Sequence, residues 1–89
     1  MAYIIFISPY NTITGKDSLI IEAESVRQLC LKIISMYWPS MGFLLDENGE
    51  LSRKLVFLVN RRNAFTLSGT DTALSEDMEV IIMPYFGGG

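Results

Sequence analysis

With 89 residues and a 49% hydrophobic share, the chain has material for one domain and one core, which excludes disorder as its overall state. A net charge of −3 and a pI of about 4.7 give no basic footprint for nucleic acid. The lone Cys30 rules out an internal disulfide, and the absence of histidine removes the commonest general base and metal ligand. Ala2 to Ser8 is a compact run of strand formers, followed by turn residues at Pro9, Asn11, Thr12, Thr14 and Gly15. A short strand resumes over Leu19 to Ala23, so the first elements read as a loosely connected β-hairpin. At Ser25 the apolar period changes. Val26, Leu29, Cys30, Ile33, Ile34 and Tyr37 share one face of a helix predicted from about Ser25 to Trp38. Ser25 and Gln28 form a capping box at its start, Glu22 and Glu24 sit near its positive end, and Pro39 stops it.

Beyond the helix, Asn48-Gly49 marks a turn within the acidic stretch Asp46 to Glu50, whose carboxylates lack the alternation of a calcium loop. Leu55 to Val59 is a third strand, and Arg61-Arg62-Asn63 turns into a minor strand near Ala64-Phe65. Thr66 to Thr72 reads as irregular chain, and Glu79 to Phe86 as a final strand that runs directly into three glycines. The order β, β, α, β, minor β, β predicts a two-layer α+β domain, with one main helix covering one face of a mixed sheet of four to five strands. Residues 1–86 form the domain and 87–89 a flexible tail. The third and last strands are apolar almost throughout, as strands covered on both faces are. One helix covers only one face, so the other is either exposed apolar area of the kind small domains tolerate or a surface that meets a protein partner.

The side chains suggest no enzyme. Ser–His and Cys–His pairs and Cys/His zinc clusters are impossible without histidine, and no phosphate-cradling glycine loop precedes a helix. Cys30, on the apolar helix face, is expected to be a packed, unreactive thiol. The opening AYIIFIS lacks a basic flank and is too short to span a bilayer, so a cytoplasmic protein is expected. The terminus is different: a carboxyl group on a glycine tail can enter a narrow channel, because no Cβ obstructs it. Attack on the α-phosphate of ATP in another protein's active site would make that carboxyl an electrophilic acyl-adenylate.

The strand AYIIFIS, the helix opening ESVRQLCLKI and ending MYWPSM, the strand-turn VFLVNRRN, the stretch DTALSEDMEVIIMP and the terminal glycines cover nearly the whole chain. In that order they resemble the β-grasp, ubiquitin-like sulfur carriers, of the type found as the molybdopterin synthase small subunit and the thiamin sulfur carrier. Length and the Tyr-x-Pro helix end favour the molybdopterin type. The resemblance implies a carrier or co-substrate that binds no cofactor or metal of its own. An E1-like enzyme would use ATP to adenylate its terminal glycine, a sulfur donor would convert it to a thiocarboxylate, and an acceptor such as the synthase large subunit would take the sulfur. Gly89 would be the activated residue, or Gly88 if the extra glycine is removed, because the family pattern usually ends in Gly-Gly after a small residue. Gly87 and Gly88 would thread the partner's channel. Tyr85 and Phe86 would anchor its mouth, and Phe57 and Val59 on the open sheet face would dock the partner together with Arg61 and Arg62. Alternatives are a ubiquitin-like modifier conjugated through the same glycine, a carrier for thiamin, cysteine or tRNA thiolation, and a β-grasp interaction module with an incidental tail.

Overall fold

The computed structural model describes residues 1–85. Five strands and one main helix appear in chain order: β1 (Ala2–Phe6), the short α1 (Tyr10–Thr14), β2 (Ser18–Ile21), α2 (Val26–Met36), β3 (Leu55–Val59), β4 (Arg62–Asn63) and β5 (Met78–Pro84). The sheet order is β2-β1-β5-β3-β4. The central pair, β1 and β5, is parallel, and every other pairing is antiparallel. The expected mixed sheet with one covering helix is therefore present.

Alternation along the strands decides what each residue meets. Ala2, Ile4 and Phe6 of β1, Leu55, Phe57 and Val59 of β3, and Val80 and Ile82 of β5 are buried on the helix side. They pack with Val26, Leu29, Cys30 and Ile33 of α2 in a single core. This overturns the sequence-based placement of Phe57 and Val59 on the open face: their exposures are 0% and 2%. The third strand is apolar on both faces, so its composition alone did not distinguish odd from even positions.

Ser25 caps α2 as expected, its Oγ accepting from the Gln28 backbone N–H at 3.1 Å. Gln28 reaches back one residue further than a capping box does, its Oε1 accepting from Glu24 N–H at 2.7 Å. The Ser25 position is instead held by an antiparallel bridge to Ala73, flanked by Val26 N–H to the Thr72 carbonyl and Leu74 N–H to the Glu24 carbonyl. The helix ends one turn after Ile33, with Tyr37 N–H bonding the Ile33 carbonyl. Pro9 to Gly15, read as turn residues, contain the five-residue α1, which buries Tyr10 and Thr14 and ends at Gly15 with φ +73°. The stretch read as irregular chain is bounded by one tight 3₁₀ turn, Ala64–Thr66, and contains another, Gly69–Asp71. From α2, Arg27 donates to the Gly49 carbonyl (2.9 Å) and to Thr70 Oγ1 (2.7 Å), tying both long loops to the helix.

Candidate functional site

β5 runs antiparallel to β3, with Pro84 opposite Leu55 and Val80 opposite Val59. The end of the chain's last strand therefore lies beside the start of β3, and Tyr85 N–H bonds the Lys54 carbonyl at 3.3 Å. Tyr85, expected to anchor at the mouth of a partner's channel, is 63% exposed there. The remaining tail residues named from sequence, Phe86, Gly87, Gly88 and Gly89, lie outside the described residues.

Around this exit the surface is apolar and cationic together. A shallow depression of about 370 Å³ is lined by Arg53, Leu55, Val56, Asn63, Phe65 and Tyr85. The Arg53 guanidinium stands 4.6 Å over the Phe65 ring, an arrangement that holds an exposed cation in place through the ring quadrupole. Lys54 is exposed beside it. In the sequence Arg53-Lys54 is one short basic cluster that reads as a solvated turn or as a contact for an acidic partner, with nothing to place it beside the last strand. The signal that would have found the pair is the antiparallel pairing of the third and last strands, which puts the residues before one beside the residues after the other.

Arg61 and Arg62 do not join this site. They follow Val59, four rungs along the β3–β5 ladder from the exit, or roughly 14 Å at the usual rise per residue. Arg62 lies in edge strand β4, and Arg61 occupies the two-residue turn between β3 and β4 with φ +68°. Arg61 Nε is 4.0 Å from Glu79 Oε1, and both groups reach solvent, so this pair contributes little. Asn60, also at positive φ (48°), holds the turn: its N–H donates to the Glu79 carbonyl and its Oδ1 accepts from the Glu79 N–H, each at 2.8 Å.

The face of the sheet away from α2 joins the exit without interruption. One row runs Ser18, Ile5, Ile81, Leu58, Asn63 across all five strands, and Val56 pairs with Met83 nearer the exit. Ile5, Ile81, Leu58, Val56 and Met83 are half-buried, and Tyr3 and Ile20 are 46% and 66% exposed. The open apolar face expected from strand composition thus exists, built from the even positions of β3 instead of Phe57 and Val59. Cys30, by contrast, lies in the core, where loss of hydration pushes its thiol up to about 12 despite the opposing pull of Arg27. Such a group is protonated and unreactive near neutrality. Among the described residues no group of three His, Cys, Asp or Glu is placed to hold a metal ion, and no helix is long and apolar enough to cross a membrane.

No protein-family model matches the chain, and no curated protein matches it by sequence. Solved structures do. Small archaeal modifier protein 1 from Methanosarcina acetivorans superposes with a TM-score of 0.83 at 24% identity, covering 99% of this chain and 95% of that one. A chain of the Amycolatopsis orientalis BexX/CysO complex gives a TM-score of 0.86 at 19% identity over 100% of both chains. A Pyrococcus furiosus protein assigned as molybdopterin converting factor, subunit 1, gives 0.73 at 19% identity, over 93% of this chain and 94% of that one. The parallel β1–β5 centre, the main helix α2 across it and the near-complete mutual coverage give this chain the ubiquitin-like β-grasp fold, similar throughout its length to these small proteins.

Proposed function

We propose that the protein is a sulfur carrier acting through its C-terminal glycine, with molybdopterin synthesis as the pathway it serves. One observation carries the reading: the last strand of a β-grasp domain leads through exposed Tyr85 toward Phe86 and the glycines, beside a continuous apolar sheet face and the Arg53-Lys54 pair. The domain offers docking and the tail offers chemistry. An adenylating enzyme would seat on the apolar face, with acidic groups meeting Arg53 and Lys54, and take the terminal carboxylate into its own ATP site. Carboxylate attack on the α-phosphate releases pyrophosphate. Hydrosulfide from a sulfur donor then displaces AMP to leave a thiocarboxylate, which an acceptor enzyme consumes. Gly89 is the activated residue, or Gly88 after trimming, and the glycines allow close approach because they carry no side chain.

Intact-mass measurement after incubation with an adenylating partner, ATP and a sulfur donor tests this. A single oxygen-to-sulfur exchange is expected, and it should vanish when Gly88 and Gly89 are deleted. An unchanged mass with a partner that thiocarboxylates its own carrier would sink the proposal. Similarity to small archaeal modifier protein 1 supports a second reading, conjugation of the same glycine to lysines of other proteins. That reading requires a ladder of higher-mass adducts in cell extract, absent for the deletion variant.

A further inference from the structure

A groove of about 710 Å³, larger than the depression at the exit, lies between the loop that leads into β3 (residues 46–54) and the loop that follows β4 (residues 65–69). The two hollows share Arg53 and Phe65, so they adjoin. One wall carries Phe65 and Leu67, both half-buried and apolar. Along the other wall the charges are sorted by sign: exposed Asp46 and Glu50 come first, exposed Arg53 and Lys54 last. Among the described residues none of these four has an ion-pair partner, so the two signs line one groove without neutralising each other. Each end is also held in place. Asp46 Oδ1 accepts from the Asn48 and Glu50 N–H groups at 2.8 and 3.0 Å, and Arg53 is the cation stacked over Phe65.

The backbone of the charged wall adds a second kind of offer. Leu51 forms an antiparallel bridge with Leu45, flanked by Asp46 N–H to the Glu50 carbonyl (2.7 Å) and Ser52 N–H to the Leu44 carbonyl (2.9 Å). In that pattern the central residue turns its own N–H and C=O away from the paired segment. Among the described residues neither these groups nor the N–H and C=O of Arg53 take part in a backbone bond. Leu51 and Arg53 both line the groove. Solvent or a second backbone must satisfy them.

We infer that the groove binds an extended segment of another protein, apolar in its middle and oppositely charged at its ends. Its acidic end meets Arg53 and Lys54, and its basic end meets Asp46 and Glu50. Charge complementarity selects this occupant. A phosphate-rich ligand or a uniformly acidic segment would set like charges against Asp46 and Glu50, and a uniformly basic one against Arg53 and Lys54. A free amino acid carries both signs but has no peptide group to offer Leu51 and Arg53. An extended segment supplies both, as peptides do when they bind by main-chain pairing. The groove contains none of the open-face row, so this inference stands without the proposed function.

Amide NMR shifts of the full chain, titrated at low ionic strength with the peptide acetyl-Asp-Val-Thr-Val-Arg-amide, test it. Saturable shifts confined to residues 50–54 and 65–69 are expected, with a Kd of about 1 mM for so short a segment. Peptides with Asp at both ends, or Arg at both ends, should bind about fivefold more weakly or worse. Exchanging Arg53→Glu and Lys54→Glu together should invert the order, so that the Arg/Arg peptide binds best. Glu50→Lys, at the other end, should favour the Asp/Asp peptide in the same way. These side chains are exposed, and the dispersion of each spectrum reports that the variant is folded. No saturable shift up to about 10 mM overturns the inference. So do equal affinities for the three peptides, or free leucine matching the peptide at the same residues. Groove shifts produced by deleting residues 86–89 with no peptide present overturn it as well, by assigning the groove to the chain's own end.

Discussion

Phe57 and Leu58 are neighbours on one strand, similar in hydrophobicity, and they live in different environments. Phe57 is fully enclosed between the sheet and α2, whereas Leu58 sits half-covered in a row that no helix reaches. The difference teaches that apolar character stands in two settings in this sheet: enclosure against α2 holds the domain together on one side, and the other side is left half-open to solvent, where the proposed function seats a partner.

The sharpest way to break that contrast is to truncate both. Phe57→Ala should cost about 3–5 kcal/mol of folding stability, since it removes a fully enclosed ring and leaves a cavity; chemical denaturation measures it. Leu58→Asp should cost about 1 kcal/mol or less yet weaken association with an adenylating partner at least tenfold by calorimetry, because a charge then sits in the middle of the proposed docking row. Equal stability losses for the two variants would erase the distinction between the faces.

Asn60→Ala should come next, at about 1–2 kcal/mol, because the Glu79 N–H loses its side-chain acceptor and a residue without Asn's tolerance is left at positive φ. The smallest effect at neutral pH belongs to Cys30. Its thiol should resist alkylation in the native state and react fully in denaturant. Its folded-state value of about 12 stands above the ordinary 9.0, so the unfolded chain loses this proton first as pH rises. The contribution is fully present below pH 9 and is lost between about pH 9 and 12, with a slope near 1.4 kcal/mol per unit that Cys30→Ala should remove.

Much of this fold was legible because α2 announces itself twice, through Val26, Leu29, Cys30 and Ile33 on one stripe and through Ser25 as its cap. The open face was legible too, from apolar strands outnumbering helices. Which residues form it was not: in LVFLV both parities are apolar, so period-2 alternation carries no information there. The exit site was half legible. Tyr85 follows from its place before the glycines, while Arg53 and Lys54 become neighbours of Tyr85 only through pairing of β3 with β5, whose partners are 21 to 29 residues apart in sequence.

The hydrogen bonds of Asn60 to Glu79 acquire a further meaning from that ambiguity. Sliding MEVIIMP by one residue would exchange Val80 and Ile82 for Ile81 and Met83 in the core, apolar for apolar, so hydrophobic burial discriminates weakly between the two threadings. Using both faces has removed the strand's own alignment information. Asn60 returns it: gripping both the N–H and the carbonyl of one residue at the start of β5, it indexes the central strand before its apolar part begins. A polar peg sets the count, and Tyr85 comes to lie beside Lys54 rather than one residue early or late.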